Sequence, residues 1–307
     1  MPQYAFFRGA FVPLEEARLS IMAHVVNYGT GCFEGIRAYW NPEASQLYVF
    51  RMREHYERLL NSCRILLITL PYDAEELGEI TRELLRKEGY REDVYIRPLA
   101  YKGSEGIGVR LHDLEDEFAL FAVPFGKYIP KEGGIRACVS SWRRVNDSAI
   151  PARAKIIGAY VNSAFSKTEA QLDGYDEAIV LTDDGYVSEG SAENIFLVRD
   201  GHLITPPVTE NILEGITRAT LMELAREELG IPTVERRINR TELYVADEAF
   251  FCGTGVELTP IAEIDGRPVG TGDLGPITRK LQDLYFRVVR GQEPKYLHWC
   301  TPVYEGA

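Results

Sequence analysis

Residues 178–205 read AIVLTDDGYVSEGSAENIFLVRDGHLIT. Four short apolar runs stand out: Ala178–Thr182, Tyr186–Ser188, Asn194–Arg199 and Leu203–Thr205. Each is long enough for a strand and too short for a helix. Asp184-Gly185 is the dipeptide of a tight hairpin turn. The stretch therefore predicts a sheet built largely of hairpins, which argues against a doubly wound nucleotide-binding fold.

Working outward, Ile216–Leu229 is an amphipathic helical pattern ended by Gly230 and Pro232. Strands are expected at Val234–Arg237, Glu248–Cys252 and Leu258–Ile264, and a last helix over about 275–290. Upstream lie a strand, Ile135–Trp142, and a helix from about Ala159 to Leu172. In the first half, Ala5–Phe7 and Gly9–Val12 predict a hairpin, followed by strands Glu15–Leu19 and Leu47–Phe50. Tyr56, Leu59, Leu60, Cys63 and Leu67 recur at helical spacing from Arg53 to about Leu67. Asp73 is placed to cap a second helix that reaches Glu88 and is closed by Gly89. Val94–Ala100 and Glu117–Val123 read as strands. Residues 125–134 (FGKYIPKEGG) lack any periodicity. They are expected to link a smaller α/β domain, residues 1–124, to a larger C-terminal domain, residues 135–307. The fold class is α+β, with largely antiparallel or mixed sheets and flanking helices.

The composition is that of a globular protein, with 45% hydrophobic and 26% charged residues. A net charge of -12 disfavours nucleic acid and anionic membranes as partners. The five cysteines are scattered, which predicts reduced, mostly buried thiols. No apolar run approaches the ~18–20 residues that span a bilayer. Met1–Gly9 has no basic stretch followed by an apolar one, so no signal peptide is expected and the cytoplasm is the default compartment. Phosphate-loop, dinucleotide and nucleophile-elbow patterns are missing. The five histidines stand far apart, and no metal site is expected.

Only eight of the 34 basic residues are lysines, so Lys155, flanked by Ala154 and Ile156, is conspicuous. Apolar surroundings disfavour a charged ammonium, and a neutral amine is what Schiff-base chemistry needs. A lysine that snorkels from a strand end fits the same pattern. Glu189, between two apolar strands, is suited to a protonated pyridine nitrogen, or is a solvated turn residue. Gly215-Ile216-Thr217 opens a helix, where free amides and the helix dipole suit a phosphate as well as an ordinary cap. Gly253-Thr254-Gly255 lets backbone approach a ligand, or is a plain turn. Arg58 offers a charge-assisted contact or a surface ion pair.

Taken together these segments resemble a known family. Residues 28–37 (YGTGCFEGIR), Tyr95-Ile96-Arg97-Pro98-Leu99, Ser188-Glu189-Gly190 through Glu193-Asn194, and residues 213–218 (LEGITR) carry the resemblance. Ser140-Ser141-Trp142 leading to Lys155, and Asp247-Glu248 through Gly253-Thr254, extend it. In that order, over nearly the whole chain, they are similar to the branched-chain amino acid aminotransferases, which have the two-domain fold type IV architecture of pyridoxal-phosphate enzymes. The resemblance implies that Lys155 carries pyridoxal 5'-phosphate as a Schiff base and is the catalytic residue. It implies that Glu189 faces the pyridine nitrogen and Tyr160 the phenolic oxygen, and that Arg58, Ile216, Thr217 and Thr254 hold the phosphate. Phe33, Tyr95 and Tyr128 would line the side-chain pocket, Arg97 with Tyr28 would meet a substrate carboxylate, and the amides of Thr254, Gly255 and Val256 would meet the α-carboxylate. The family is dimeric or larger, with a loop near Val109 closing the neighbouring site. The implied reaction is transamination between leucine, isoleucine or valine and 2-oxoglutarate.

Two departures bear on substrate range. Gly255 and Val256 stand where typical relatives have two alanine-like residues, and Phe125 stands where many bacterial relatives have Trp. Both leave room for (R)-amines as secondary substrates. The rivals on the same fold are D-amino acid aminotransferase, (R)-amine aminotransferase and aminodeoxychorismate lyase. A cofactor-free binding protein on the same scaffold is the rival from outside enzymology.

Overall fold

Arg8 and Gly9 both have positive φ, 50° and 86°, the twist of a two-residue hairpin turn, and they join β1 (Tyr4–Phe7) to β2 (Ala10–Pro13). The computed structural model describes residues 2–126 and 133–305. In chain order β2 is followed by α1 (His24–Tyr28), β3 (Gly31–Phe33), β4 (Ile36–Asn41), β5 (Gln46–Phe50), α2 (Met52–Ile65), α3 (Ala74–Glu88), β6 (Val94–Lys102) and β7 (Asp116–Pro124). Then come β8 (Ile135–Arg143), α4 (Tyr160–Leu172), β9 (Glu177–Leu181), β10 (Val187–Gly190), β11 (Asn194–Arg199), β12 (His202–Thr205) and α5 (Ile216–Glu227). The chain finishes with β13 (Thr233–Glu235), β14 (Glu248–Gly253), β15 (Glu257–Ile264), β16 (Arg267–Pro268), α6 (Pro276–Val289) and β17 (Cys300–Pro302).

The described residues form two compact units. Residues 2–126, 154–158 and 287–305 make the first, and 133–153 with 159–286 make the second. The first is organised on a sheet of order β17-β5-β4-β6-β7-β1-β2, with β3 paired to β6; all of these pairings are antiparallel. The second has the order β10-β9-β8-β15-β14-β11-β12-β13, with β16 on β15. In it only β8–β9, β8–β15 and β12–β13 run parallel. This is an α+β fold. Residues 178–205 form the expected hairpins, β9–β10 and β11–β12. The second core packs Ile179, Leu181, Ile195, Leu197, Phe251 and Val256 together.

Local chemistry sets the helix ends. Asp73 accepts hydrogen bonds from the amides of Glu75 and Glu76, the Glu76 carboxylate accepts one from the Asp73 amide, and Gly89 closes α3 in the left-handed conformation. The helix expected to reach about Leu67 stops at Ile65, because Leu67 adopts φ 54° and its carbonyl accepts a 2.6 Å bond from the buried Lys102 ammonium. The strand expected at Glu15–Leu19 does not form. Leu14–Glu16 is a 3-10 turn instead, with the Arg18 side chain donating to the Glu15 carbonyl. All five cysteines are free and buried. Among the described residues no helix is long and apolar enough to cross a membrane, and no cluster of His, Cys, Asp or Glu is arranged to hold a metal ion. Residues 127–132 of the expected linker, Tyr128 included, lie outside the described residues.

Candidate functional site

Lys155 lies in a short segment, residues 154–158, that packs within the first unit although its sequence neighbours on both sides belong to the second. Backbone pairing holds it there. Phe33 donates its amide to the Lys155 carbonyl at 3.1 Å, Ile157 donates to Gly31 at 2.8 Å, and Cys32 bridges Ile156. From the other side the Lys155 amide donates to the Ser62 hydroxyl on α2 at 3.2 Å, and that hydroxyl donates to the Arg58 carbonyl at 3.0 Å. Lys155 is half-buried between buried Ala154 and Ile156, with its ammonium 5.2 Å from the centre of the Phe33 ring.

The strand period of two puts Tyr95 and Arg97 on one face of β6. The Arg97 guanidinium donates to the Tyr95 hydroxyl at 3.1 Å and lies 4.4 Å from the Phe33 ring centre. Its Nε is buried with no hydrogen-bond partner. An orphaned donor on a cation is costly in a folded protein and fits a site made for an anion. Gly35 lets the Tyr95 ring in, since a Cβ there would sit 2.1 Å from the Tyr95 hydroxyl. Phe125 packs against Tyr95 at 5.1 Å, under the Arg37 guanidinium. Phe33, Tyr95, Arg97 and Lys155 are thus brought together.

Arg58, on α2, forks onto the Glu34 carboxylate with Nε at 2.7 Å and Nη2 at 2.8 Å. His55, one turn earlier, contacts the same carboxylate through Nδ1 at 2.8 Å. Burial alone would push the Glu34 carboxyl up, but Arg58 and His55 overturn this and hold it well below the usual carboxylate range. Burial pushes His55 below its ordinary value, against the pull of Glu34, so the neutral ring donates from Nδ1. In this unit the Tyr28 hydroxyl accepts from the Gly108 amide at 3.1 Å, beside a loop whose Ile107 and Val109 are exposed.

In the second unit Glu189 is a buried strand residue, not a solvated turn. Arg144 pairs with one oxygen at 2.9 Å, while the Asn194 amide, at 2.9 Å, and the Leu213 amide, at 3.2 Å, donate to the other. Asn194 also donates to the Leu213 carbonyl at 3.0 Å and presses its Oδ1 against Gly215. Gly215 caps α5 without any side-chain cap bond, so the amides that follow, Ile216 and Thr217, open the helix uncapped. That suits a phosphate. Thr254 and Gly255 form the turn between β14 and β15 and are half-buried, while the Val256 side chain points into the core and leaves its backbone for the turn. Tyr160 opens α4, and that helix is tied to the end of β8 by Asn162 donating to the Arg143 carbonyl at 3.0 Å.

The sequence reading missed the roles of Arg144, Asn194, Glu34 and His55. Glu34 and Asn194 stand inside stretches quoted above. Arg144 and His55 carry no local signal, because their partners are distant in sequence. Within the first unit the orphaned Arg97 donor fits an anionic substrate group; within the second, the uncapped start of α5 and the braced Glu189 carboxylate fit a phosphate and a protonated ring nitrogen.

Comparison with known proteins agrees. Residues 31–264 match the family described as Amino-transferase class IV. A probable branched-chain-amino-acid aminotransferase of Aquifex aeolicus is 54% identical over 302 residues, 98% of this chain and 97% of that protein. The crystal structure of a branched-chain aminotransferase from Thermoproteus uzoniensis with norvaline superposes with a TM-score of 0.94 at 51% identity, covering 98% of this chain and 99% of that one. The branched-chain amino acid aminotransferase from Thermobaculum terrenum, in its PLP-form, superposes with a TM-score of 0.94 at 40% identity, covering 99% of each chain.

Proposed function

The chain belongs to the class IV aminotransferases, and from that premise we propose that it moves amino groups between leucine, isoleucine or valine and 2-oxoglutarate, giving branched 2-oxo acids and L-glutamate. It is a transferase whose cofactor is pyridoxal 5'-phosphate. When bound, that group supplies the electron sink that lets the substrate's α-hydrogen leave as a proton.

One observation carries the substrate reading: a buried, partnerless Arg97 Nε beside the aromatic rings of Phe33 and Tyr95. Aromatic walls suit a branched aliphatic side chain. The orphaned donor suits the second carboxylate of glutamate, which is otherwise costly to bury. One face of β6 therefore offers both chemistries.

Lys155 would hold the cofactor through its side-chain amine, and as a free amine it would serve as the base and acid that carries the substrate's α-proton. Glu189, braced by Arg144 and Asn194, keeps a proton on the pyridine nitrogen. Tyr160 bonds the phenolic oxygen. Arg58, the amides of Ile216 and Thr217, the Thr217 hydroxyl and Thr254 hold the phosphate. The backbone of Thr254, Gly255 and Val256 takes the α-carboxylate, and Gly255 leaves room for (R)-amines as minor substrates. The protein works as a dimer or larger assembly, consistent with the exposed apolar Ile21, Ile107 and Val109.

The test is the visible spectrum of the purified protein before and after L-leucine without an oxo acid. Loss of the yellow band, restored by 2-oxoglutarate, is the expected result. A yellow protein unmoved by L-leucine would shift the reading to a D-amino acid, an (R)-amine or a lyase substrate. A colourless protein that takes up no cofactor would end it.

A further inference from the structure

We propose that Glu34 is the positioning residue for the cofactor phosphate, acting through Arg58 and itself held by His55. This rests on the reading of Arg58 as a phosphate ligand. The Glu34 carboxylate is completely buried and takes three donors: Nε and Nη2 of Arg58 at 2.7 and 2.8 Å, and Nδ1 of His55 at 2.8 Å. A buried ion pair contributes little to stability compared with an apolar pair of the same size, so stability alone does not account for it. Geometry does. A guanidinium carries five N–H groups in one plane. Glu34 engages two of them on the Nε side and so fixes the plane and rotation of the whole group. The other edge is then set in direction before any ligand arrives. A phosphate presents planar pairs of oxygens, and a fixed fork meets them bidentately without reordering a long side chain.

Ser62 completes the frame. Its hydroxyl donates to the Arg58 carbonyl and accepts from the Lys155 amide, so the turn of α2 that bears Arg58 is fixed to the backbone of Lys155. Glu34 sets the side chain against that frame. His55 is neutral and adds a donor without adding charge. Glu34 therefore lowers the net positive charge near the phosphate while improving its direction, and the two effects have opposite signs in an affinity measurement.

The experiment compares dissociation constants for pyridoxal 5'-phosphate and for pyridoxal, which lacks the phosphate, in the wild-type chain and in Glu34→Gln, Arg58→Ala, Arg58→Lys and the double variant Glu34→Gln/Arg58→Ala. Direction through Arg58 predicts that Glu34→Gln weakens pyridoxal 5'-phosphate about tenfold and leaves pyridoxal unchanged. It predicts that the double variant is no weaker than Arg58→Ala alone. Arg58→Lys keeps the charge and loses the fork, so it should resemble Arg58→Ala, and it keeps the test decisive if Glu34→Gln does not fold. Equal or tighter pyridoxal 5'-phosphate binding by Glu34→Gln, or full retention by Arg58→Lys, overturns the role of Glu34. Equal loss for both ligands marks a merely structural residue and overturns it too. Unchanged affinity in Arg58→Ala removes the phosphate reading of Arg58, and this proposal with it.

Discussion

Replacing Gly215 with Ala should destabilise the protein by about 2 kcal/mol, although the backbone there, at φ -70° and ψ 129°, accepts any L residue. On conformational grounds alone a Gly→Ala change at such a position gains ~0.4–1 kcal/mol through the unfolded chain. The weaker capping tendency of Ala offsets part of that. The side-chain geometry decides the sign. A Cβ at residue 215 would lie 1.9 Å from Asn194 Oδ1 and 3.2 Å from the Arg218 Cβ, where ordinary contact begins near 3.4 Å. Asn194 has to swing away, and both of its donor bonds break: to Glu189 at 2.9 Å and to the Leu213 carbonyl at 3.0 Å. A bond to a charged acceptor contributes ~1.5–3 kcal/mol and a neutral one ~0.5–1.5 kcal/mol, so the loss exceeds the gain. In a chain of this size that lowers the melting temperature by roughly 4 °C. Differential scanning fluorimetry of G215A, N194A and the double variant reads it directly. The double variant should melt no lower than N194A, because both changes remove the same bonds. G215A melting at or above wild type, or simple additivity in the double variant, would refute the coupling of Gly215 to Glu189 through Asn194.

Four further outcomes are expected. Arg97→Ala should slow the 2-oxoglutarate half-reaction far more than the leucine half-reaction in stopped-flow absorbance, and equal losses would remove Arg97 from carboxylate recognition. Gly255→Ala should be neutral or stabilising by ~0.4–1 kcal/mol by urea unfolding, because its Cβ would meet nothing within 4 Å. Burial, with the nearby charge of Glu177, pushes the Glu193 carboxyl up, so its contribution is full below the ordinary Glu value of 4.5 and is lost as pH rises through the raised folded value. Glu193→Gln, which imitates the protonated form, should therefore flatten the fall in melting temperature between pH 4.5 and about 8, and an unchanged slope there would contradict this. His55 and Glu34 act in the opposite sense: both are depressed on folding, so their contributions are full above 6.5 and 4.5 respectively and are lost in that order on acidification, which His55→Gln should blunt below pH 6.5.

Much of this was legible in the sequence, for reasons that differ by element. The α3 boundaries are written in Asp73 and Gly89, whose chemistry is local. The hairpins of residues 178–205 follow from short apolar runs and turn dipeptides, also local. The strand β4 went unseen because its residues are buried on both faces, which erases the alternation that marks a strand. The supposed strand after Pro13 failed because backbone and side-chain bonds at Leu14–Arg18 favour a tight turn. In the site, single residues were ambiguous and became readable only as an ordered set. The braces around them, Arg144 on Glu189 and His55 on Glu34, depend on contacts across 45 and 21 positions, which no local pattern encodes.

The short passage that carries Lys155 also constrains how the chain can assemble. Residues 133–286, apart from 154–158, are nearly contiguous and can collapse as soon as they have been synthesised. The first unit cannot. It must wait for residues 154–158 to pair with β3, and for β17 to add antiparallel to β5, some 250 positions earlier in the chain. Closing loops of such length makes non-local pairing slow. Lys155 is therefore seated late, after its flanking segments have begun to fold into another unit. Until then one edge of β5 and the backbone of β3 that pairs with residues 156–157 stay unpaired, which is where a chaperone or an aggregating neighbour would find this protein during synthesis.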